Sequence, residues 1–349
     1  MNRVVRFGGG TLSTRRLRVL ESVPAPGPDV NFIDSIVAHA PDDVEFRFFS
    51  WRTALFGQFD VFHVHWPEYL MRHRYRSAAF VRRIFYRVFL FRLTLKRIPV
   101  VRTVHNIQPH DSGDDSESRL LGRLDQLTRT HVVMNDCTPV AWQGRTVQIP
   151  HGDYREPFDR LPREPKVPGR VLLFGKIRPY KGVVELIRAA EDITAPGVEI
   201  RIVGHPTPAM RVEVESELAK PARRGAQVSV DLRMVPDREL VREILRAELI
   251  VLPYQNAGNG NSGVAMLALS LDRPILTPRS CVMERLAEEV GAQWIHMTDS
   301  DISGTEIESA LARVRELPLG ASPRFIGRDW PTIASSYAEV FRTAASDAL

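Results

Sequence analysis

Cysteines and long apolar runs are both scarce in this sequence. Its 349 residues include two cysteines, Cys137 and Cys281, which stand in different halves without the close spacing of metal ligands. This excludes a disulfide-rich secreted scaffold and favours a reducing cytoplasm. No segment approaches the roughly 18 consecutive apolar residues of a membrane span, and the N-terminus lacks the apolar core of a signal peptide. We therefore expect a cytoplasmic globular protein.

Acidic residues are missing from one long segment. Between Glu68 and Asp111 the chain has ten basic residues and no acidic one. Within it, the stretch from Ala78 to Lys96 mixes aromatic and aliphatic residues with arginines at helical spacing. Such a helix can bind an anionic membrane surface; the alternative is a core helix with a solvated basic face. No nucleic-acid-binding motif accompanies this local charge, so we expect no nucleic-acid partner.

The order of apolar and helical patterns predicts two α/β domains. Short apolar runs alternate with helical patterns in both halves, and a stretch rich in proline and charge separates the halves. This rhythm is typical of doubly wound parallel sheets, which bind ligands at the carboxyl ends of their strands. The predicted strands of the first half are 17–22, 44–49, 61–65, 100–105, 131–134 and 146–150, with helices at 31–40, 78–96 and 118–128.

The strongest motif is a basic loop between a strand and a helix in the second half. The strand ends at Gly175, the loop carries Lys176, Arg178 and Lys181, and the helix begins near Gly182. Cations beside the free N–H groups of a helix N-terminus form an anion site. The Gly-Lys-Ser/Thr ending of a P-loop is absent. A solvated basic loop is the alternative.

Residues 172–190, which hold this loop, resemble the donor-phosphate loop of GT-B glycosyltransferases, enzymes with two Rossmann-like domains facing a cleft. The resemblance implies that Lys176 and Lys181 bind the diphosphate of a nucleotide sugar, with Arg178 as a further cation and no metal or other cofactor. It covers the linker, the strand order of the second half, and a final helix around Trp330 that crosses back onto the first domain. The implied units are an acceptor domain (1–152), a linker (153–169), a nucleotide-sugar domain (170–328) and the crossing helix (329–349).

A glycine-rich segment follows a later strand of the second half. Gly258, Gly260 and Gly263 spell G-x-G-x-x-G. A dinucleotide site would need an acidic residue at the end of the next strand, and that strand, 274–278, has none. The resemblance instead implies a second phosphate element made of Ser262, Gly263 and Val264.

The same segment bears on the stereochemistry of transfer. The retaining branch of the fold has two glutamates here, and their positions fall on Asn259 and Leu267. Their absence favours inversion. We expect Asn259 and Asn261 to contact the donor sugar.

Two strand ends of the first half supply candidate catalytic residues. His63, His65, Trp66 and Glu68 lie within six positions, and His105 ends a later strand. His63 and His65 share one face of their strand, which allows a metal site, a catalytic base or a buried structural pair. We expect Glu68 to be the base, with His65 as its orienting partner or replacement. The resemblance also places His105 against the transferred sugar.

Three loops complete the candidate site by resemblance. Gly27 and Asn31 follow the first strand and, with Trp66, are expected to contact the acceptor. The nucleobase, guanine or uracil, is expected at Met234, Val235 and Pro236.

The predicted function is transfer of a hexose from a GDP- or UDP-linked sugar to a lipid-linked or saccharide acceptor. The His-Trp-Pro-Glu string resembles bacterial exopolysaccharide GDP-mannose:glycolipid β-mannosyltransferases, which implies GDP-mannose as donor. The basic amphipathic segment from Ala78 to Lys96 is the reason to expect a peripheral position on the inner face of the cell membrane. A retaining α-glycosyltransferase and a non-catalytic GT-B scaffold are the alternatives.

Overall fold

Two parallel six-stranded sheets form the frame of the molecule. The structure is a computed structural model and describes residues 15–27, 32–105, 113–138, 142, 144–159, 161–162, 164–220, 225–255 and 262–347. Each sheet is covered by helices on both faces, and all strand pairs in both are parallel. The predicted α/β class with two doubly wound sheets is therefore confirmed.

The first sheet has the strand order β2-β1-β3-β4-β5-β6. Its strands are β1 (Leu17–Glu21), β2 (Val44–Phe48), β3 (Val61–Val64), β4 (Val100–Val104), β5 (Thr128–Val133) and β6 (Arg145–Gln148). The helices of this part are α1 (Phe32–Ala38), α2 (Trp51–Phe56), α3 (Glu68–Met71), α4 (Arg76–Leu95), α5 (Asp115–Leu127) and α6 (Arg155–Phe158). The order reverses between β1 and β3, so a crevice is expected at their carboxyl ends.

The second sheet has the strand order β12-β11-β10-β7-β8-β9. Its strands are β7 (Arg170–Phe174), β8 (Glu199–Val203), β9 (Gln227–Asp231), β10 (Leu249–Val251), β11 (Ile275–Pro278) and β12 (Ile295–Thr298). The helices that follow are α7 (Val183–Ala190), α8 (Pro208–Leu218), α9 (Asp237–Arg246), α10 (Gly263–Ser270), α11 (Cys281–Val290), α12 (Gly304–Arg315) and α13 (Trp330–Ser346). Here the order reverses between β7 and β10, beside the basic loop.

The last helix, α13, packs on the first sheet rather than the second. Trp330, Tyr337 and Phe341 are fully buried in the core that contains Val19 of β1 and Phe32 of α1. The aspartate before the helix caps it, because the Asp329 carboxylate accepts the backbone N–H of Thr332. The chain thus returns to the first domain after completing the second, as the resemblance implies.

A disulfide bond joins the two domains. Cys137 follows β5, Cys281 opens α11, and the bond links positions 144 residues apart in the chain. An ion pair between Arg285 and Asp136, 3.2 Å long, lies beside it. Sequence spacing alone gave no reason to expect this pairing, and reduced thiols were the expectation.

Helix α4 has an unusual distribution of apolar side chains. Its inner face, with Tyr86, Phe89, Leu90 and Leu93, is buried in the core of the first domain. The opposite face is also apolar and is exposed, with Phe80, Val81, Ile84, Phe85, Val88, Phe91 and Leu95. A core helix with a solvated basic outer face would not show this pattern. Within the described ranges, no helix is both long and apolar enough to cross a membrane.

Candidate active site

The carboxyl ends of β1 and β3 bring three polar residues into one buried cluster. Glu21 ends β1 opposite His63 of β3 in the strand register, and His65 comes directly after β3. All three are buried among aromatic side chains. His63 and His65 project from the same face of the strand, as their spacing predicts.

Glu21 accepts hydrogen bonds from both histidines. Its Oε1 lies 2.8 Å from Nδ1 of His63, and its Oε2 lies 3.2 Å from Nε2 of His65. Burial alone would raise the pKa of Glu21, but the two histidines outweigh it and hold the pKa at about 2. Glu21 is therefore a carboxylate at neutral pH, and a carboxylate can only accept.

His105 extends this cluster toward the cleft. Its Nε2 lies 2.9 Å from Nδ1 of His65, and its ring stacks on Trp66 with the centroids 4.2 Å apart. Phe32 of α1 meets the His105 ring edge-on. Burial lowers the pKa of His105 well below its ordinary value and lowers that of His65 to about 4, so both rings are neutral at pH 7.

Glu68 occupies a different environment from the one predicted. It begins α3 and is buried, and the two ring nitrogens of His65 bond to Glu21 and His105 rather than to Glu68. Burial raises the pKa of the Tyr86 hydroxyl in α4, and the Glu68 carboxylate adds to that shift. The expected Glu68–His65 pair is therefore not formed.

A cavity of about 350 Å³ opens beside Trp66. Its walls include Phe49, Trp51, Tyr69 and, from α4, Arg82. Trp66 both lines this cavity and stacks on His105, so the His105 ring lies one indole ring away from the cavity. Gly27, also predicted for the acceptor, is exposed in the loop after β1 and has no neighbour that would restrict a side chain there.

The carboxyl end of β7 carries the basic loop of the second domain. Lys181 is only 5% exposed, and among the described residues it forms no ion pair. A Cβ placed on Gly175 would lie 3.5 Å from both Lys181 Nζ and a methyl group of Val264. The loop and the start of α10 therefore converge, as the sequence predicts.

Burial is the main influence on the protonation of Lys181. Together with the nearby charges of Arg178 and Lys176, burial lowers the pKa of Lys181 to about 8. Lys176 is exposed and Arg178 half-buried. Gly182 adopts φ of +61°, and a side chain there would collide with the carbonyl of Pro253, so this turn requires glycine.

The first turn of α10 has backbone N–H donors and lies next to the basic loop that carries Lys181. Ser262 caps the helix, since its Oγ accepts the N–H of Ala265 at 3.2 Å. The hydroxyl of Tyr254 lies 3.2 Å from that oxygen. Ser262 is thus occupied within the protein, while Gly263 and Val264 stand in the first turn, where N–H groups lack helical partners.

The remaining predicted residues lie at the edge of the site or outside the described residues. Met234, Val235 and Pro236 form the connection from β9 to α9 at the same sheet edge, and Met234 is exposed. Asn31, Asn259 and Asn261 lie outside the described residues.

Two proteins of Xanthomonas campestris pv. campestris are similar to the chain over nearly its whole length. Each is described as a GDP-mannose:glycolipid 4-beta-D-mannosyltransferase. One is 40% identical and the other 39% identical over 331 residues, which cover 94% of this chain and 93% of each relative. The chain belongs to this mannosyltransferase family. No family model matches it.

Solved structures show that this mannosyltransferase-family member has the GT-B fold. A glycosyltransferase from Rickettsia africae has a TM-score of 0.59 at 10% identity, covering 95% of this chain and 99% of that one. A UDP-forming α,α-trehalose-phosphate synthase from Burkholderia vietnamiensis has a TM-score of 0.57 at 14% identity, covering 95% and 100%. The predictions of a GT-B fold and of a glycosyltransferase are confirmed.

The sequence predictions missed two buried residues of this mannosyltransferase-family chain, Glu21 and His151. Glu21 could have been recognised from its place, because a carboxylate closing an apolar strand lies at the ligand-binding edge of a parallel sheet. His151 gave no such signal, since it lies between the domains beyond the last strand of the first sheet.

His151 lies where the two domains meet. Its Nδ1 donates to the carbonyl of Gly152 at 2.7 Å, and its Nε2 would be 3.9 Å from a Cβ on Gly263. Burial lowers its pKa to about 4. His151 and Ser262 both line an interdomain cavity of about 380 Å³, next to Arg285 and Met283.

The Glu21 cluster also has the composition of a metal site. Among the described residues, Glu21, His63 and His65 form the one group of potential ligands whose atoms lie within 4.8 Å of one another. Each of those atoms already has a hydrogen-bond partner inside the cluster. The same atoms can therefore serve as members of a hydrogen-bonded chain or as metal ligands.

Proposed function

We propose that this chain transfers mannose from GDP-mannose to a lipid-carried saccharide. The observation that carries the proposal is Lys181, a buried cation without an ion-pair partner among the described residues, set between Gly175 and the start of α10. The Nζ atom of Lys181 lies 5.3 Å from the centre of the Tyr254 ring, and because a buried charge is costly unless it is paired, an anion from outside the chain would stabilise it further. The diphosphate of a nucleotide sugar supplies that anion, and the family relatives specify GDP-mannose by name.

A panel of nucleotide sugars tests the donor. Ligand stabilisation follows RT ln(1 + [L]/Kd), so GDP-mannose should raise the unfolding temperature more than GDP, GDP-glucose, UDP-glucose or UDP-galactose at equal concentration. Radiolabelled GDP-mannose should then pass label to a membrane glycolipid extract. A larger shift with a UDP-sugar would overturn the choice of donor, and binding without release of GDP would favour a non-catalytic module.

We propose that transfer inverts the anomeric carbon and needs no metal. The two glutamate positions of the retaining branch are Asn259 and Leu267 here, and the relatives are described as forming a β-linkage. Lys181 and its neighbours would stabilise the departing diphosphate in place of a metal ion. The one-bond carbon–proton coupling constant at the anomeric centre of the product reports the configuration, and an α-product would overturn inversion. Activity in excess EDTA should equal that without it.

The aromatic cavity beside Trp66 is the proposed acceptor site. Trp51, Trp66 and Tyr69 give it flat apolar walls against which sugar rings can stack, and a volume of about 350 Å³ falls in the range of small-molecule sites. Trp51 lines the cavity, and its ring neighbours among the described residues are Phe49 and Phe85 rather than members of the catalytic cluster. Trp51→Ala should raise the KM for acceptor about tenfold and leave donor affinity unchanged. Equal KM values for the acceptor in wild type and Trp51→Ala would mean that the acceptor does not bind in this cavity.

We propose that α4 holds the enzyme on an anionic lipid surface at the inner face of the cell membrane. Its outer face is a continuous apolar stripe, including Phe91 and Val88, with basic residues such as Arg87 and Lys96 also exposed. A surface that combines apolar side chains with arginines matches the acyl boundary and phosphates of an anionic bilayer. Arg82 of this helix lines the proposed acceptor cavity, so a lipid surface bound by α4 would lie close to that cavity.

A vesicle sedimentation assay with matched variants tests this surface. The triple variant Ile84→Glu, Val88→Glu, Phe91→Glu should stay in the supernatant with phosphatidylglycerol vesicles, whereas wild type should sediment and be released by salt. Val212→Glu is the control, because Val212 is 66% exposed on α8 of the other domain, close to the 59% of Phe91. Sedimentation of the triple variant at the wild-type level would overturn the membrane proposal.

A further inference from the structure

A continuous chain of hydrogen bonds runs from the last helix through the first sheet to the cleft. Tyr337 of α13 lies 3.1 Å from the hydroxyl of Thr103, which lies 2.8 Å from Nε2 of His63. His63 bonds to Glu21, Glu21 to His65, and His65 to His105. This chain of hydrogen bonds begins in the core of the first domain and ends at His105, beside Trp66 in the wall of the proposed acceptor cavity.

The hydrogen-bond partners determine where the protons lie in the outer half of this chain. The Glu21 carboxylate only accepts, so His65 carries its proton on Nε2. His65 is neutral, which leaves its Nδ1 as an acceptor, and His105 must therefore donate from Nε2. A neutral His105 with its proton on Nε2 presents an unprotonated Nδ1. No described residue hydrogen-bonds that nitrogen.

We propose that His105 is the general base of the transfer and that Glu21 positions and supports it through His65. The proposal rests on the proposed function, because it needs an acceptor hydroxyl and a nucleotide sugar. As the acceptor oxygen bonds to the anomeric carbon, its proton passes to Nδ1 of His105. The bond from that carbon to the diphosphate breaks at the same time, and its electron pair leaves with GDP.

The buried carboxylate is what allows His105 to carry the transferred proton. The positive charge that forms on His105 is relayed by the Nε2–H bond to His65 and is opposed by Glu21 two bonds away. In a hydrolytic triad the carboxylate bonds directly to the catalytic imidazole, orients it and stabilises its cation; here Glu21 acts on His105 through His65. The titratable groups that act on His105 are His65 and His63 of the β3 segment and His151 between the domains, and Glu21 reaches His105 only through its hydrogen bond to His65.

Glu21→Gln is the test that separates this role from a structural one. The amide keeps the shape, but its NH2 group can no longer accept from both histidines, so the tautomer of His65 is no longer fixed. We expect kcat to fall on the order of 10²–10⁴-fold, by analogy with loss of the carboxylate from a hydrolytic triad. Donor affinity should stay within twofold, because Glu21 does not touch the donor loop.

The pH profile gives a readout that misfolding would not move. The acid limb of kcat reports protonation of His105 in the ternary complex. Removing the Glu21 charge destabilises the protonated ring, so the limb should move to lower pH in Glu21→Gln. A lower kcat with an unmoved limb would mean that Glu21 is merely structural, and a wild-type kcat would overturn the relay outright.

Chemical rescue tests His105 directly. His105→Gly should lose transfer but retain GDP-mannose binding, and added imidazole should restore part of the rate; no rescue together with intact folding would overturn His105 as base. His131→Gln is the matched control, because His131 is a buried histidine of β5 in the same sheet that stacks on Trp142 instead of joining the chain. Its kcat should stay within about threefold of wild type.

Two outcomes separate failure of the relay from failure of the proposed function. If wild type itself neither binds GDP-mannose nor releases GDP, the proposed function fails and the variants need not be compared. If wild type is active but elemental analysis finds a stoichiometric transition metal that is lost in His63→Ala, the cluster is a metal centre and the relay is overturned.

Discussion

The carboxyl edges of the two sheets have the same topology but opposite chemistry. At the first edge, both oxygens of the Glu21 carboxylate accept hydrogen bonds within the chain, one from His63 and one from His65. At the second edge, Lys181 is equally buried but has no ion-pair partner among the described residues. The first edge is therefore complete without a ligand, and the second becomes complete when an anion binds. A preorganised edge suits proton transfer, and an unpaired cation suits donor binding.

The largest expected effect comes from cutting the covalent link between the two edges. Reduction of Cys137–Cys281 opens a loop of more than a hundred residues, and chain-entropy arguments give a loss of about 2–5 kcal/mol in the free energy of unfolding. Urea unfolding with and without dithiothreitol measures it. The Cys137→Ser, Cys281→Ser double variant should behave like the reduced protein in both conditions.

Whether this disulfide forms in the cell depends on the redox state of the compartment in which the protein resides. Disulfides are uncommon in a reducing cytoplasm, where the two thiols would be free and the Arg285–Asp136 ion pair would remain beside them. Alkylation of the protein directly after cell lysis, followed by mass spectrometry, reads the state of both cysteines. Equal urea midpoints for oxidised and reduced protein would show that the bond does not stabilise the fold.

The second prediction removes the cation from the second edge. Lys181→Met keeps the aliphatic length and should weaken GDP-mannose binding on the order of 10²-fold, the size expected for a lost charge-assisted contact with a phosphate. Lys220→Met at the end of α8 is the control, because Lys220 is exposed and pairs with Glu217. Isothermal titration measures both. Unchanged affinity in Lys181→Met would remove this edge from donor binding.

The third prediction uses pH to titrate the same cation. Lys181 has a pKa lowered to about 8, so it is protonated below that pH and loses its charge as pH rises through it. Donor affinity should therefore fall between pH 7 and pH 9, by up to about tenfold per unit at the alkaline end. The Lys181→Met variant should show no such fall. A flat wild-type profile would mean that Lys181 remains charged throughout.

Much of the fold was predictable from sequence, but the contacts between strand ends were not. Apolar runs such as Val61–Val64 and the alternation with helices identified all six strands of the first sheet, since both patterns are local. Short α3 and the late strand β12 were missed because four residues carry little periodicity. The basic loop was found because its cations and glycines are contiguous in the chain.

The partners of His65 were not predictable, because they are set by strand order. Glu68 is three positions from His65 in sequence and was the expected partner. Glu21 is 44 positions away but ends the neighbouring strand, and His105 ends the strand on the other side. Sequence proximity therefore favoured the wrong neighbour for His65, whereas the parallel register of β1, β3 and β4 selects the observed ones.

The smallest expected effect sharpens the choice between Glu68 and His105 as the base. Glu68→Gln is isosteric and, because the side chain is not hydrogen-bonded to His65, it should leave the relay intact and keep kcat within about threefold. The side chain is only 5% exposed, so the variant should alter stability more than turnover. Steady-state kinetics measures kcat and thermal unfolding measures stability, each for Glu68→Gln and for wild type. Loss of transfer with donor affinity intact would return the role of base to Glu68, and the first edge would then act through the side of the sheet that faces α4.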